Sequence, residues 1–485
     1  MKKRSLRVNA MLYASRTVMS FLFPLLTFPY ASRVLGVVNM GRVSTSANFV
    51  SYFILIAQMG VFTYASREGA RIRDDAVKMS RFASQVFSIN LLSTLGAYIL
   101  LVLTVMLVPH YRQYSLLILI HSFNIISTTV GVEWLCNIYE DYGYIAVRSF
   151  IVQIATVVML FTLVKKPEDY PVYAAISVIA ETGANIMNFL HVRKFTDIHL
   201  TADLQLNLHL KPLLIIFFSA VTTTIYVNSD VTMLSFMCGD YNVGLYNASV
   251  RIYSILQSMI ASIFLVALPR LSNDLVTATK EEYKKTLNEL MDELMLFLVP
   301  VITGVYLIAN EASRLFSGQA FRESVPSLRI LSLTLLFSLL ASFLTNTILL
   351  PNKMESLVLR ATTFSAAANV VLNIWLIPRL AQNGAALTTL AAEILMASVQ
   401  YWFIRSRRLL APDWKNMIQI IAGCVLIIIC CTGIDYLGLS VYQSVLLKVV
   451  LSATAYMAVL GLSGNQLFRQ ILKGILQKGL HRKTV

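Results

Sequence analysis

The stretch Gly36-Val37-Val38-Asn39-Met40-Gly41 recurs in the second half of the chain as Gly239-Asp240-Tyr241-Asn242-Val243-Gly244. Both copies place two glycines and an asparagine at the same spacing, in a short connection between two apolar segments. The match extends without a gap, because Ser32, Ser46, Ser51 and Arg67 recur at the same offset of 203 residues as Ser235, Ser249, Ser254 and Arg270. A constant offset of this length indicates an internal duplication.

The composition places the duplicated segments in a membrane. Of 485 residues, 57% are hydrophobic and only 13% are charged, with a mean hydropathy of +0.68. Soluble domains carry about 25% charged residues, so this chain cannot cover a water-facing surface. One membrane-spanning helix uses about 20 apolar residues, and the composition therefore suffices for about 14 spans. A soluble enzyme, a disordered chain and a disulfide scaffold are excluded.

Apolar segments of spanning length follow one another along most of the chain. The predicted spans are 10–32, 43–63, 83–108, 114–136, 144–164, 171–191, 212–236, 244–268, 293–313, 330–350, 357–377, 384–404, 416–434 and 441–462.

The formal net charge of +15 would suggest nucleic acid as the partner of a soluble protein. With alternating sides along the chain, most Lys and Arg residues instead fall on the side of the basic amino terminus. Positive charge marks the cytoplasmic side of a membrane protein, so we expect both termini in the cytoplasm and no nucleic-acid partner. Arg16, Arg251 and Lys448 lie inside spans, and Lys448 is interpreted as reaching back to the interface.

The repeat unit contains six spans, since a second and weaker sequence similarity relates residues 174–177 in span 6 to residues 385–388 in span 12. An even number of spans gives parallel copies, an arrangement found in alternating-access transporters. The predicted fold is therefore an all-α polytopic membrane protein with about 14 transmembrane helices. Residues 1–200 and 201–410 form two six-helix lobes, and 411–485 add two helices and a basic tail.

Polar residues recur at helical spacing within four spans of the second half. Polar groups inside spans are costly and usually face a cavity or another helix. A single stripe is explained equally well by hydrogen bonds between helices, whereas four stripes favour a shared hydrophilic cavity. The stripes are Ser219, Thr223, Tyr226 and Asp230; Asn247, Arg251, Ser254, Ser258 and Ser262; Thr334, Ser338, Ser342 and Asn346; and Ser365, Asn369 and Asn373.

The cations of this cavity suit an anionic head group. A guanidinium binds phosphate or carboxylate through paired donors, so Arg16 and Arg251 are predicted to bind substrate, with Asn247, Ser254, Asn346, Asn369 and Asn373 as polar lining. The alternative for either arginine is an ion pair with Asp230. Candidates for ion coupling are Asp230, Glu133, Glu181 and Glu393, although the three glutamates could also be solvated groups near span ends.

Sequence motifs for chemistry are missing. The chain has no phosphate-binding G-x-x-x-x-G-K-[ST] and neither a zinc-protease nor a serine-hydrolase motif. Its five cysteines have no metal-ligand spacing with a nearby histidine. We expect no enzymatic activity, no metal and no cofactor.

The residue pattern resembles the bacterial polysaccharide flippases of the O-antigen-unit type, within the multidrug/oligosaccharidyl-lipid/polysaccharide exporter superfamily. The resemblance spreads over residues 1–400, and the block at 28–36 is its most specific part. The matching blocks are 28–36 with Gly41, 52–53, 64–68, 133–135, 140–142, Asp230 with 233–234, 243–246, 268–272, 371–374 and 377–378.

This resemblance implies a transporter that moves undecaprenyl-diphosphate-linked oligosaccharide to the outer face of the plasma membrane. It implies rocking lobes, an ion gradient as the energy source, and membrane lipids around the substrate's tail. A polysaccharide polymerase and a chain-length regulator are candidate protein partners. The alternatives are a lipid II or multidrug exporter of the same superfamily and, with less support, a membrane polymerase or glycosyltransferase.

Overall fold

The computed structural model describes residues 6–470 apart from 408 and 412, and their side chains apart from 6–22, 142, 263–277 and 407. The described residues form α-helices, with short 3-10 and π turns and no β-strand, which confirms the all-α prediction. The α-helices are α1 Leu6–Gln58, α2 Val61–Ile72, α3 Ala76–Leu107, α4 Pro109–Arg112, α5 Ser115–Val130, α6 Glu133–Ile138, α7 Tyr142–Leu163, α8 Tyr170–Val192, α9 Leu206–Thr277, α10 Lys280–Leu307, α11 Ala309–Phe316, α12 Val325–Phe343, α13 Glu355–Ile404, α14 Trp414–Asp435 and α15 Val441–Leu462.

Many of these helices can cross a membrane. Among the described residues, nine helical segments are long and apolar enough to do so. Phe23–Ile72, Leu206–Ser262 and Glu355–Ile404 contain 50, 57 and 50 residues, which is about 75 Å or more of helix. The hydrocarbon core is about 30 Å thick, so each segment is long enough for two crossings. A multi-pass membrane protein is confirmed, while the number fourteen stays a prediction.

Several helices begin at a polar residue whose side chain caps the first turn. The Asp75 carboxylate accepts a hydrogen bond of 3.0 Å from the Lys78 amide at the start of α3, and this bond lowers the pKa of Asp75. Thr279 and Glu282 form a reciprocal capping box at the start of α10. Such caps satisfy amides that have no partner within the helix, so they define where these helices begin.

Two of the long helices are interrupted at the duplicated glycines. Gly36 in α1 has φ 75° and ψ 175°, and Gly239 in α9 has φ 77° and ψ 179°. This backbone region is essentially accessible to glycine alone. The first glycine of each repeated motif therefore ends one helical segment and starts the next, with the same geometry in both copies.

The second glycine of each motif allows a close backbone approach between the two turns. A Cβ atom at Gly41 would lie 1.9 Å from the Asp240 carbonyl oxygen, and one at Gly244 would lie 2.2 Å from that of Val37. Val37 and Asp240 are equivalent positions of the repeat, so the two contacts are reciprocal. This exchange supports the predicted duplication.

The chain divides into two compact units, Met1–Asn247 and Ala248–Val485. In the first unit, buried side chains of α2, α3 and α6 pack around Trp134, which is 4% exposed. In the second unit, the Tyr456 hydroxyl of α15 donates a hydrogen bond of 2.8 Å to the Leu296 carbonyl of α10. A Cβ at Gly423 of α14 would lie 2.4 Å from the Tyr456 ring. Tyr456 therefore joins α10, α14 and α15.

Candidate functional site

A seam of uncharged polar side chains joins α1 to α9 within the first unit. The Asn48 amide donates to Thr232 Oγ1 at 2.8 Å, and the Asn228 amide donates to Ser51 Oγ at 2.9 Å. The Tyr52 hydroxyl lies 2.8 Å from Thr232 Oγ1. These five residues form the α1–α9 seam. Amides and hydroxyls can exchange such bonds for bonds to water or sugar hydroxyls without leaving a charge unpaired.

Asp230, a predicted ion-coupling residue, lies two positions from this seam. It is 5% exposed, and its Oδ2 accepts a hydrogen bond of 2.7 Å from the Tyr246 hydroxyl. A hydrogen bond from a neutral donor satisfies a buried carboxyl oxygen without adding charge. Asp230 thus occupies a buried, hydrogen-bonded position in the first unit.

The turn at Gly239 carries a second acidic group, Asp240. Its Oδ1 accepts a hydrogen bond of 2.7 Å from the Tyr114 hydroxyl and one of 3.4 Å from Thr45 Oγ1. Arg42 Nε lies 3.7 Å from Oδ2. We call Asp240 and these three residues the Asp240 cluster. It connects the turn of α9 to α1 and to the start of α5.

An aromatic contact lies beside the Asp240 cluster. The His110 ring stacks on Phe236 with centroids 4.1 Å apart, and its Nε2 lies 3.0 Å from Ser235 Oγ. Burial lowers the pKa of His110, against an opposing effect of the Asp240 charge. The neutral imidazole therefore predominates at neutral pH, and the stack does not depend on a histidine charge.

Glu133, another predicted ion-coupling residue, lines a small cavity of about 80 Å³. The carboxylate lies 3.5 Å from Nη2 of Arg148, whose Nη1 donates to the Ala184 carbonyl at 2.8 Å. Arg148 is only 3% exposed. The other lining residues of this Glu133 pocket are Gln58, Val61, Phe62, Asn90, Thr128, Trp134 and Asn185.

Glu181 is held by α5. It is exposed on α8, and its Oε2 accepts a hydrogen bond of 2.6 Å from the Asn124 amide. One turn farther along both helices, the Asn185 amide lies 3.4 Å from Ser127 Oγ. Asn185 also lines the Glu133 pocket, so polar groups connect the two glutamates within the first unit.

The predicted lining residues of the second unit are partly brought together. Asn369 and Asn373 are 1% and 0% exposed, and the Asn373 amide donates to Asn369 Oδ1 at 3.1 Å. Thr388 donates to Asn373 Oδ1 at 2.5 Å. The helix α13 is interrupted at Ala381, and the Thr388 bond joins the parts before and after that residue, so this stripe lies in a packed helix interface. Its part in substrate binding stays a prediction.

The other predicted residues are less closely grouped. Asn346 bonds the Ser342 carbonyl at 2.9 Å, and Glu393 is 8% exposed. On α9, Arg251 is exposed, whereas Asn247 and Ser254 are half-buried. The Arg16 side chain lies outside the described residues.

Lys448 corrects one sequence interpretation. It does not reach the interface, because it is 1% exposed. Its Nζ lies 2.5 Å from Glu311 Oε1 and 2.6 Å from Asp435 Oδ1. This triad joins α15 to α11 and α14, so the cation belongs to the internal packing of the second unit.

Residues 6–273 match the model of a family described as polysaccharide biosynthesis protein. The chain belongs to this family. The match covers more than half of the chain and includes both glycine turns, the α1–α9 seam and the Glu133 pocket. The resemblance inferred from the sequence motifs is confirmed.

Relatives and solved structures agree with this family assignment. Proteins named as candidate O-antigen transporters from Shigella dysenteriae and Escherichia coli K12 are 23% and 24% identical over 78% and 84% of this chain, and the matches cover 94% and 99% of those proteins. Family and relatives mark the chain as a membrane transporter and not an enzyme.

The fold is similar to two solved transporter structures. Lipid II flippase MurJ in an inward closed conformation has a TM-score of 0.78 at 16% identity, over 95% of this chain and all of that one. An inward-facing multidrug transporter of the MATE family has a TM-score of 0.57 at 14% identity, over 82% of this chain and 98% of that one. The fold of this family member is therefore similar to the folds of these two transporters.

Sequence reasoning missed Arg148, Asn185 and the partners of Lys448. Arg148 lies inside the fifth predicted span, so a basic residue among apolar neighbours was the available signal. Asn185 follows Glu181 by one helical turn, which places both on one face of α8. The pairing of Lys448 with Glu311 left no such signal, since 137 residues separate them.

Proposed function

We propose that this protein is a flippase that moves an oligosaccharide linked to undecaprenyl diphosphate from the cytoplasmic to the outer face of the plasma membrane. The observation that carries this proposal is the family match over residues 6–273, together with full-length relatives named as candidate O-antigen transporters. The product would serve surface polysaccharide synthesis, with a polymerase and a chain-length regulator as partners in the same pathway.

Substrate binding in this proposal needs a cation for the diphosphate and neutral groups for the sugar. Arg251 is exposed, so its guanidinium can offer paired donors to phosphate oxygens. Arg16 is proposed for the same role. Asn247, Ser254, Asn346, Asn369 and Asn373 would supply amides and hydroxyls, the groups that commonly bind sugar hydroxyls.

The energy source in this proposal is an ion gradient used through alternating access, with Asp230, Glu133, Glu181 and Glu393 as coupling candidates. Ion binding to a carboxylate changes its charge inside the membrane, where an uncompensated charge is costly. The occupied and empty states would therefore favour different conformations. Asp230 and Glu181 are both hydrogen-bonded to other helical segments. Protonation of either carboxylate, or ion binding to it, would therefore change contacts between helices.

Deletion of the gene in the native host tests the proposal. We expect the lipid-linked repeat unit to accumulate on the cytoplasmic face and the surface polysaccharide to disappear, and a plasmid copy should restore both. Normal delivery of the unit without the protein would refute it. Competition by lipid II or by drugs for transport in reconstituted vesicles would instead support the alternative exporters of the superfamily.

Variants at the proposed cations extend this test. Arg251→Ala and Arg16→Ala should abolish complementation while the protein is still present in the membrane. Arg405→Ala is a suitable control, because Arg405 is also exposed but lies just after the end of α13. Full complementation by both cation variants would contradict the proposed diphosphate site and leave the flippase assignment intact.

A further inference from the structure

Glu181 and Asn124 form a pair at the middle of two packed helices. Glu181 is twelve residues into the 23-residue helix α8, and Asn124 on α5 is 4% exposed. The Asn124 amide nitrogen lies 2.6 Å from Glu181 Oε2. A charged carboxylate at the centre of a membrane span is costly, and such residues usually mark ion or proton pathways.

The remaining atom of this amide indicates what the pair binds. Asn124 Oδ1 is buried and has no hydrogen-bond partner. A buried acceptor without a donor destabilises the structure, and a charged carboxylate is itself an acceptor without a donor. A protonated Glu181 could donate its O–H to Asn124 Oδ1 while it accepts from the amide, so acid and amide would form two parallel hydrogen bonds.

The opposite orientation of the amide leads to the same requirement. The oxygen and nitrogen of an asparagine side chain are assigned from the hydrogen-bond network. If they are exchanged, the 2.6 Å contact joins two oxygen atoms, and such a contact needs a proton between them. In either orientation the pair is complete only when Glu181 carries a proton.

We propose that Glu181 binds the coupling proton and that Asn124 recognises its protonated form. This inference rests on the proposed function, because it names the ion that drives transport. Binding converts the carboxylate to a neutral carboxylic acid by taking up one proton, and release returns that proton to the side to which the exposed carboxyl then opens. No other reactant is required.

Polar groups lead from this pair toward the end of α8 that is predicted to face the cytoplasm. Asn185 and Ser127 follow one turn later and lie 3.4 Å apart, and Asn185 lines the Glu133 pocket. That pocket is large enough for a few water molecules. The Ser127 hydroxyl, held by the Asn185 amide, and water in the pocket would provide a route for a proton between Glu181 and Glu133.

Other titratable groups surround α8 and will affect the pH dependence. Among the described residues they include His121 on α5, Glu133 on α6, Arg148 on α7, His191 of α8 with its partner Asp141 before α7, Arg193 after the end of α8, and Arg42, Glu168 and Asp169 near its start. Arg148 donates to the Ala184 carbonyl on α8 and lies 3.5 Å from Glu133, so its charge lies beside the turn of α8 that follows Glu181.

Reconstituted vesicles with lipid-linked oligosaccharide from the native host test the coupling. The wild-type protein should transport faster under an imposed pH gradient. Glu181→Gln should lose this stimulation entirely and keep substrate exchange in the absence of a gradient, because glutamine resembles the neutral acid. Glu281→Gln, at an exposed position in the first turn of α10, should behave as wild type. Asn124→Leu should shift the pH profile toward lower pH, since the protonated form loses its partner.

Infrared spectroscopy tests proton binding without any substrate. On acidification, the difference spectrum between the wild-type protein and Glu181→Gln should contain the carbonyl band of one protonated carboxylic acid. A difference spectrum without this band, or equal stimulation of wild type and variant by the pH gradient, would overturn the proton site. Wild-type transport at the same rate with and without the pH gradient would also overturn the proton site, and it would leave the flippase assignment unchanged. A wild type that moves no lipid-linked oligosaccharide would instead contradict the proposed function.

Discussion

Replacement of Gly41 by alanine separates the two roles of glycine in the duplicated turns. The added Cβ would lie 1.9 Å from the Asp240 carbonyl oxygen, whereas an ordinary contact between such atoms is about 3.5 Å. The backbone of one turn must therefore move by more than about 1 Å. Because the obstacle is main chain and not a flexible side chain, we expect a cost at or above the upper end of the range of about 1–3 kcal/mol for overpacking.

Gly36→Ala and Gly96→Ala are matched controls in the first unit. Neither added Cβ would meet an atom within 4 Å. At Gly36 only backbone strain remains, because φ is 75°, and such strain costs about 1–3 kcal/mol. Gly96 lies inside α3, where alanine stabilises a helix by about 0.5–1 kcal/mol. From most to least stable, the expected order is Gly96→Ala, wild type, Gly36→Ala and Gly41→Ala.

Thermal unfolding of the purified variants in detergent measures this order, and the amount of folded protein in the membrane provides a second measure. Gly244→Ala should resemble Gly41→Ala, since its Cβ would lie 2.2 Å from the Val37 carbonyl oxygen. If Gly41→Ala unfolded at the wild-type temperature, the close approach of the two turns would be refuted. The structural argument for the duplication would then lose its main support.

Three further perturbations test individual contacts. Lys448→Ala should destabilise the protein by up to about 3 kcal/mol, because the largely buried Glu311 carboxylate loses its cation, whereas Asp435 is 58% exposed. Combination with Glu311→Gln should recover part of this loss in thermal unfolding. An unchanged unfolding temperature of Lys448→Ala would contradict the triad. Asp240→Asn and Tyr114→Phe should each lower the free energy of unfolding by about 1.5–3 kcal/mol. The double variant should lose less than the sum of the two single losses. Losses that simply add would argue against the hydrogen bond between the two side chains. Arg251→Lys should retain more transport than Arg251→Ala, since charge remains but paired donors are lost; equal activity of both with wild type would exclude a diphosphate contact.

The sequence predicted those parts of the fold that depend on local chemistry. Apolar runs of spanning length predicted the helices, because each backbone group must be satisfied within its own segment in a membrane. The equivalent backbone at Gly36 and Gly239 was predictable from the repeat, since a glycine-only conformation is encoded at one position. The all-α membrane fold was therefore accessible without coordinates.

Contacts between segments that are distant in the sequence could not be predicted in the same way. Helical spacing placed Asn369 and Asn373 on one face of a helix, but spacing does not say whether that face meets a cavity or another segment. In the structure, Thr388 meets it. The position of Lys448 near the start of a span likewise predicted an interfacial residue. Its pairing with Glu311 depends on tertiary packing, which the local sequence does not encode.

Direct transport by the purified protein tests the central claim. Vesicles would carry a lipid-linked oligosaccharide extracted from the native host, and an enzyme added outside would cleave only the sugar exposed there. We expect the accessible fraction to rise well above the half present at the start in vesicles with oriented wild-type protein and an imposed ion gradient, and to stay constant in empty vesicles. An accessible fraction that does not change with the wild-type protein would contradict a flippase.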